Sequence, residues 1–214
     1  MKYVISRRFN TSTVRTARVL EIAEGFGLGL SDKVFTVYNN LELEVNQGDV
    51  VYITGQSGSG KSLLLEDLAA QMTAGGLKIA DLNQVKLPEE PVIEQVGANV
   101  GDAARILSLA GISDAWIYLR KPAELSEGQR YRLKLAKVLD SGADVWLADE
   151  FGAVLDRVTA KIIAFNLQKI ARAQGKTLMV ATTHTDLVAE LAPSLTITKR
   201  FGERVDIVKG EANA

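Results

Sequence analysis

The chain has 214 residues, 47% of them hydrophobic, which fits one domain with a real buried core. Lysine and arginine number 25 against 26 aspartates and glutamates, so the net charge of −1 gives no global pull toward nucleic acid or anionic lipid. With no cysteine, disulfides and thiolate metal sites are excluded, which suits a reducing cytosol.

No apolar run approaches the roughly 18 residues that a membrane span needs. The opening MKYVISRRFN carries charge without the apolar segment of a signal peptide. A cytoplasmic protein with no transmembrane segment of its own is expected. Lys2, Arg7, Arg8, Arg15 and Arg18 precede the first acid, Glu21. This basic stretch reads either as an edge strand and helix with solvated arginines, or as a docking surface for an unidentified acidic protein or nucleic acid. Next, Lys33 to Val45 alternates apolar and polar residues, the pattern of a half-exposed, antiparallel sheet.

Val50-Val51-Tyr52-Ile53-Thr54 is a continuous apolar, β-prone run, predicted to be a strand buried on both faces. Behind it, Gly55-Gln56-Ser57-Gly58-Ser59-Gly60-Lys61-Ser62 matches G-x-x-x-x-G-K-[ST] without a gap. Glycines let such a loop curl so that its N–H groups converge on phosphate oxygens, and the following helix adds its N-terminal dipole. Lys61 would reach the β- and γ-phosphates of a bound nucleotide. The Ser62 hydroxyl would help hold Mg²⁺, and Leu63 completes the segment expected to surround the nucleotide. The helix runs from Ser62 to Met72, with Leu64, Leu65, Leu68 and Ala69 on one face. From about Leu87 to Glu124 a mostly helical insert is expected.

A second helix starts near Leu125-Ser126-Glu127-Gly128-Gln129, with Ser126 placed as its N-cap. Tyr131, Leu135 and Val138 share one face of it, and Arg130, Lys134 and Lys137 the other. The run Val145-Trp146-Leu147-Ala148 ends in two acids, Asp149 and Glu150. Asp149, first off the strand, is placed to hold the Mg²⁺ shell opposite Ser62. Glu150 has the position of a general base for the attacking water. Arg157 to Arg172 reads as a helix, and Leu178-Met179-Val180-Ala181-Thr182-Thr183-His184 as a third core strand. His184, the single histidine, falls at the C-terminal end of that strand, where open α/β sheets bind ligands. There it would hydrogen-bond the γ-phosphate and the attacking water.

GQSGSGKS, LSEGQ, VWLADE, AVLD and ATTH, in this order, resemble the ATP-binding-cassette (ABC) ATPase domain over nearly the whole chain. The resemblance implies an α/β fold: a P-loop core with a mostly parallel sheet flanked by helices, an antiparallel β subdomain and a short helical subdomain. It divides a single domain, residues 1–214, into an antiparallel region of about 1–48, a nucleotide-binding core of 49–86 and 125–214, and an insert of 87–124. It also implies an Mg²⁺-dependent ATPase. LSEGQ, with Glu127 where glycine is commonest, would act in trans. Ser126 and Gly128 of one subunit would cover the nucleotide held by the other, in a head-to-tail homodimer formed on ATP binding. Gln84 resembles the glutamine that touches Mg²⁺, with Gln95 as its rival. Asp156 resembles the aspartate of the dimer-interface loop. Phe151 stands where the family has proline. Phe26 and Phe35 are candidates for stacking on adenine, and both also fit a core.

The chain looks most similar to small stand-alone ABC-type ATPases, some of them fused to a predicted acetyltransferase. Only 40 residues, 85 to 124, separate Gln84 from the signature, which looks short for gripping a permease. The ATP-binding subunit of a membrane transporter is therefore the alternative reading. A phosphate-loop kinase of small molecules would explain the loop and the acids but neither LSEGQ nor ATTH. A scaffold that binds without hydrolysing leaves Glu150 and His184 without a purpose.

Overall fold

The computed structural model describes residues 1–210; the last four residues of the expected core, 211–214, lie outside them. In chain order the elements are β1 (Lys2–Thr11), α1 (Ala17–Gly25), β2 (Lys33–Glu44), β3 (Val50–Gly55), α2 (Lys61–Ala74), β4 (Ile79–Asp81), α3 (Val100–Leu109) and α4 (Ala115–Tyr118). They continue with α5 (Glu127–Asp140), β5 (Val145–Ala148), α6 (Arg157–Ala173), β6 (Thr177–Thr182), α7 (Val188–Leu191), β7 (Leu195–Lys199) and β8 (Val205–Lys209).

Six strands form one sheet in the order β4-β5-β6-β3-β7-β8. The first five run parallel, and β8 pairs antiparallel with β7 at the edge. Strands β3, β5 and β6 are buried along almost their whole length. Their side chains alternate between two cores, as a period of two requires. Val50, Tyr52, Trp146, Ala148, Leu178 and Val180 face one core with Leu133, Leu135, Ile163 and Leu167 of α5 and α6. Val51, Ile53, Val145, Leu147, Met179 and Ala181 face the other with Leu64, Leu65, Leu68 and Met72 of α2. Covering both faces explains why these strands read as unbroken apolar runs.

β1 and β2 make the expected separate antiparallel pair, with Tyr3, Ile5, Val37, Tyr38 and Leu43 turned onto the α2 core. Gln71 of α2 donates from Nε2 to the Val4 carbonyl at 2.9 Å, fastening this sheet to the helix. Phe9 and Phe35 stand opposite each other across the pair, both substantially exposed. Phe26 follows α1 and is 74% exposed. A core role for Phe26 or Phe35 is therefore corrected: both lie at the surface. Two arginines of the basic stretch find partners within the fold. Arg7 reaches its own α2, 2.8 Å from Asp67 and 3.8 Å from Glu66, and Arg8 donates to Asn39. Among the described residues, no helix is long and apolar enough to cross a membrane.

Candidate active site

The loop between β3 and α2 takes backbone conformations that only glycine adopts easily. Gly55 has φ of 145°, and a Cβ there would stand 2.0 Å from the Lys199 carbonyl oxygen of β7. Gly60, at φ 105°, precedes α2, and a Cβ there would meet Val37 at 2.6 Å. From behind, the Tyr38 hydroxyl donates to the Gly60 carbonyl at 2.9 Å. Lys199 is buried with its ammonium 5.1 Å from the Tyr38 ring centroid, so a cation–π contact backs the same support.

Lys61 opens α2 and is 8% exposed. Its Nζ donates to the carbonyls of Gly55 at 2.9 Å and Gln56 at 2.8 Å. Burial pushes the ammonium below the usual lysine range, opposed by the Asp149 and Glu150 carboxylates across the site. Ser59 is buried too, and its hydroxyl has no hydrogen-bond partner among the described residues. A buried ammonium resting on loop carbonyls, beside an unpartnered hydroxyl, fits a cradle for a polyphosphate.

Facing the loop is the turn after β5. Asp149 accepts from the Glu150 N–H at 2.9 Å. Glu150 holds φ of 50°, a left-handed conformation that costs a non-glycine residue about 1–2 kcal/mol. The residues beyond it hold this turn. Phe151, where proline was expected from the family, is fully buried, and its N–H donates to Ala181 at 2.9 Å. Gly152 donates to the Tyr131 hydroxyl of α5 at 3.1 Å. Tyr131 also packs edge-on against Phe151, with ring centroids 6.3 Å apart.

His184 closes the site from the end of β6. The Tyr52 hydroxyl donates to its carbonyl, and Thr54 does so at 3.2 Å. Its ring Nδ1 lies 2.7 Å from Arg157 at the start of α6. Arg157 also pairs with Asp186.

A cavity of about 550 Å³ joins Ser57, Gly58, Gly60, Lys61, Ser62, Leu63, Asp149, Glu150, Ala153, Thr182, Thr183 and His184. Ser62 and Asp149 also line a second depression together with Gln84, which donates to Asp81 at 2.9 Å. Gln95 instead donates to the Pro88 and Glu90 carbonyls of its own loop. Among the described residues no three His, Cys, Asp or Glu side chains cluster as a protein-only metal cage. Ser62, Asp149 and Gln84 suit Mg²⁺ better, since that ion keeps water and phosphate oxygens in its shell.

None of Leu125, Ser126, Glu127, Gly128 and Gln129 lines this cavity. The segment stands at the start of α5, where Ser126 accepts from the Gln129 N–H at 3.2 Å and Gln129 Oε1 accepts from the Ser126 N–H at 2.9 Å. Gly128 packs beside Val154 and Leu155 of the AVLD segment. Asp156, at its end, caps α6 by accepting from the Thr159 N–H at 3.0 Å and from the Thr159 hydroxyl. Sequence reasoning missed Arg157, the Tyr131 hydroxyl and the Tyr38–Lys199 support. Each acts through a polar atom whose partner lies far along the chain, so no local pattern marks it.

The model of the ABC transporter family matches residues 38–153, from within β2 through the turn after β5. The aliphatic sulfonates import ATP-binding protein SsuB 2 of Rhodococcus jostii is 31% identical, over 97% of this chain and 88% of its own. The lipoprotein-releasing system ATP-binding protein LolD 1 of Rhodospirillum rubrum is 26% identical, over 84% of this chain and 94% of its own. Among solved structures, an ATP-binding cassette seen as a dimer in a post-hydrolysis state, with ADP and phosphate, superposes with a TM-score of 0.68 over 98% of this chain and 100% of that one. At 22% identity that likeness speaks for the fold. With the family model running from the antiparallel sheet past both acids, and a relative 31% identical along nearly its whole length, the chain belongs to the ABC transporter family and is one of its ATP-hydrolysing domains.

Proposed function

We propose that two copies of the chain close head to tail over two ATP molecules, and that hydrolysis reopens them to move a partner. The observation that carries this reading is the separation of the signature from the cradle. Ser126 to Gln129 form an exposed helix start outside the cavity that holds the loop, both acids and His184. A helix N-terminus offers N–H donors and a positive dipole end to an anion. A second copy can bring that end to the open side of the cradle, which this copy's own signature does not line.

Within the cradle, Lys61 leaves the Gly55 and Gln56 carbonyls for the β- and γ-phosphates, and the loop N–H groups from Gly55 to Leu63 surround the rest. Ser62, Asp149 and Gln84 would hold Mg²⁺, which when bound would neutralise phosphate charge. Glu150 takes the proton of the attacking water. His184 donates to the γ-phosphate. Asp156, beside the signature, faces the second copy.

A membrane permease is the partner that the relatives favour. The Rhodococcus and Rhodospirillum proteins are, by name, ATP-binding proteins of an import and a lipoprotein-releasing system. Both align along most of their own length, which supports a transporter partner although the 40 residues from 85 to 124 look short for gripping a permease.

Glu150→Gln tests the pairing. Gln keeps the shape of Glu but lacks the charge beside the γ-phosphate and the basicity to activate water, so hydrolysis should fall by roughly 10²–10⁴-fold. Light scattering after gel filtration should show monomer without nucleotide and dimer with ATP and Mg²⁺. Adding Ser126→Arg to the same chain should return it to monomer. A monomer under all conditions, or a dimer indifferent to ATP, would overturn the shared site.

A further inference from the structure

We propose that Arg157 is a positioning residue that holds the His184 ring with its proton on Nε2, a role that rests on the reading of His184 as a donor to the nucleotide. A guanidinium has five N–H donors and no acceptor, and it does not lose its proton in proteins. Its NH1 nitrogen stands 2.7 Å from Nδ1 of His184. Nδ1 must therefore offer a lone pair. The neutral ring then carries its proton on Nε2, leaving that nitrogen as a donor to the cavity that the ring lines. A ring free of Arg157 would exchange between two tautomers, one of them an acceptor at Nε2 that repels phosphate oxygen.

The surroundings fix the backbone that carries the ring. Tyr52 and Thr54 fix the His184 carbonyl, and the His184 N–H donates to the Thr182 hydroxyl at 3.2 Å. Arg157 itself is held by Asp186, and Lys161 of α6 stands 3.9 Å from Asp186 and 3.0 Å from Glu190. Arg157 and Lys161 of α6 are thus tied to Asp186, just before α7, and to Glu190 on it.

Position gives the contact a second consequence. Arg157 directly follows Asp156, the N-cap of α6, at the end of the turn that begins with Asp149 and Glu150. A shift of that turn pulls on the guanidinium and so on the ring. One arginine ties the orientation of the γ-phosphate donor to the segment that faces the second copy.

His184 is the only histidine in the chain. Untagged protein labelled with ¹⁵N-histidine therefore gives one pair of ring nitrogen signals. At about pH 8, above the ordinary histidine range, the wild type should show a bare Nδ1 and a protonated Nε2. In Arg157→Ala both signals should move toward the average of two tautomers. The kcat for ATP should fall between about 10- and 100-fold, with KM within about two-fold, as for a group that acts on the reacting phosphate rather than on binding. Arg157→Lys, whose ammonium also only donates, should restore the single-tautomer pattern and recover part of the rate.

An unchanged spectrum and rate in Arg157→Ala, or a lysine variant no better than alanine in either readout, overturns the proposal. If Arg157→Ala does not unfold cooperatively, the lysine and glutamine variants decide. Glutamine can accept as well as donate, so it should leave mixed tautomers. His184→Ala separates the two readings: changed ring signals in Arg157→Ala with no loss of rate in His184→Ala would sink the role of His184 and leave the arginine contact standing.

Discussion

The start of α2 and the start of α5 are both helix N-termini entered through glycine and serine, yet they solve the same electrostatic problem in opposite ways. Gly60 caps α2 and contributes no side-chain hydrogen bond, so the helix opens uncapped onto a buried ammonium and an unpartnered serine hydroxyl. Ser126 caps α5 in a reciprocal box with Gln129, and Glu127 places an acid in the first turn. One end is left incomplete within the fold and stands open to an anion. The other is complete alone, stands exposed, and offers its remaining donors to whatever approaches from outside. The two ends are linked inside one chain by Tyr131, which reaches from α5 to the turn that carries Glu150.

The comparison breaks first at Lys61. Lys61→Ala should remove the charge that the uncapped end of α2 lacks elsewhere. Truncating one partner of a buried charge pair costs about 2–5 kcal/mol, or roughly 30- to several-thousand-fold in affinity. Calorimetric titration should find no saturable ATP binding at micromolar protein. Near-normal affinity would mean that the loop is not the cradle.

Tyr131→Phe is the next test, aimed at the link. It leaves the cradle and the capping box intact but strips the acceptor from the buried Gly152 N–H. An unpaired buried donor costs about 1–3 kcal/mol. For a chain of this size each kcal/mol lowers Tm by about 2–4 °C. ATP affinity should stay near that of the wild type. A variant that loses affinity without losing stability would place Tyr131 with the nucleotide rather than with the turn.

Glu127→Gln sharpens the other side with a smaller effect. It removes only the acid from the exposed end of α5, and exposed charges of this kind are worth less than about 1 kcal/mol. In the Glu150→Gln background, the head-to-tail reading has the ATP-driven dimer tighten a few-fold, because one fewer carboxylate would face the phosphates held by the other copy. Sedimentation across a concentration series measures it. A weaker dimer would put Glu127 in an attractive contact across the interface.

How much of this was legible depended on how far each signal reached along the chain. The runs at Val50, Val145 and Leu178 gave themselves away because strands covered on both faces have no polar side to blur the pattern. The loop and the acids follow those strands directly, so their placement came with them. β7 and β8 were not anticipated. β7 alternates buried and half-buried residues and turns Lys199 inward, and β8 is an exposed edge strand. Phe26 and Phe35 could not be assigned from hydrophobicity, which does not distinguish an exposed aromatic from a core one. Arg157 was invisible for a further reason. Its partners, His184 and Asp186, come together only once α6 and the end of β6 are packed.

The backbone at Glu150 sets conformational ease against chemistry. At φ of 50° the position suits glycine or asparagine, and a β-carbon with a long acidic chain stands there instead. Phe151, sunk in the core, and Gly152, tethered to Tyr131, hold that geometry from one side. The turn is therefore a small spring kept loaded by its neighbours, and it loads only as the rest of the domain comes together. A chain that has not yet packed Phe151 has no reason to present the carboxylate, so the acid is aimed into the cavity only in the finished fold.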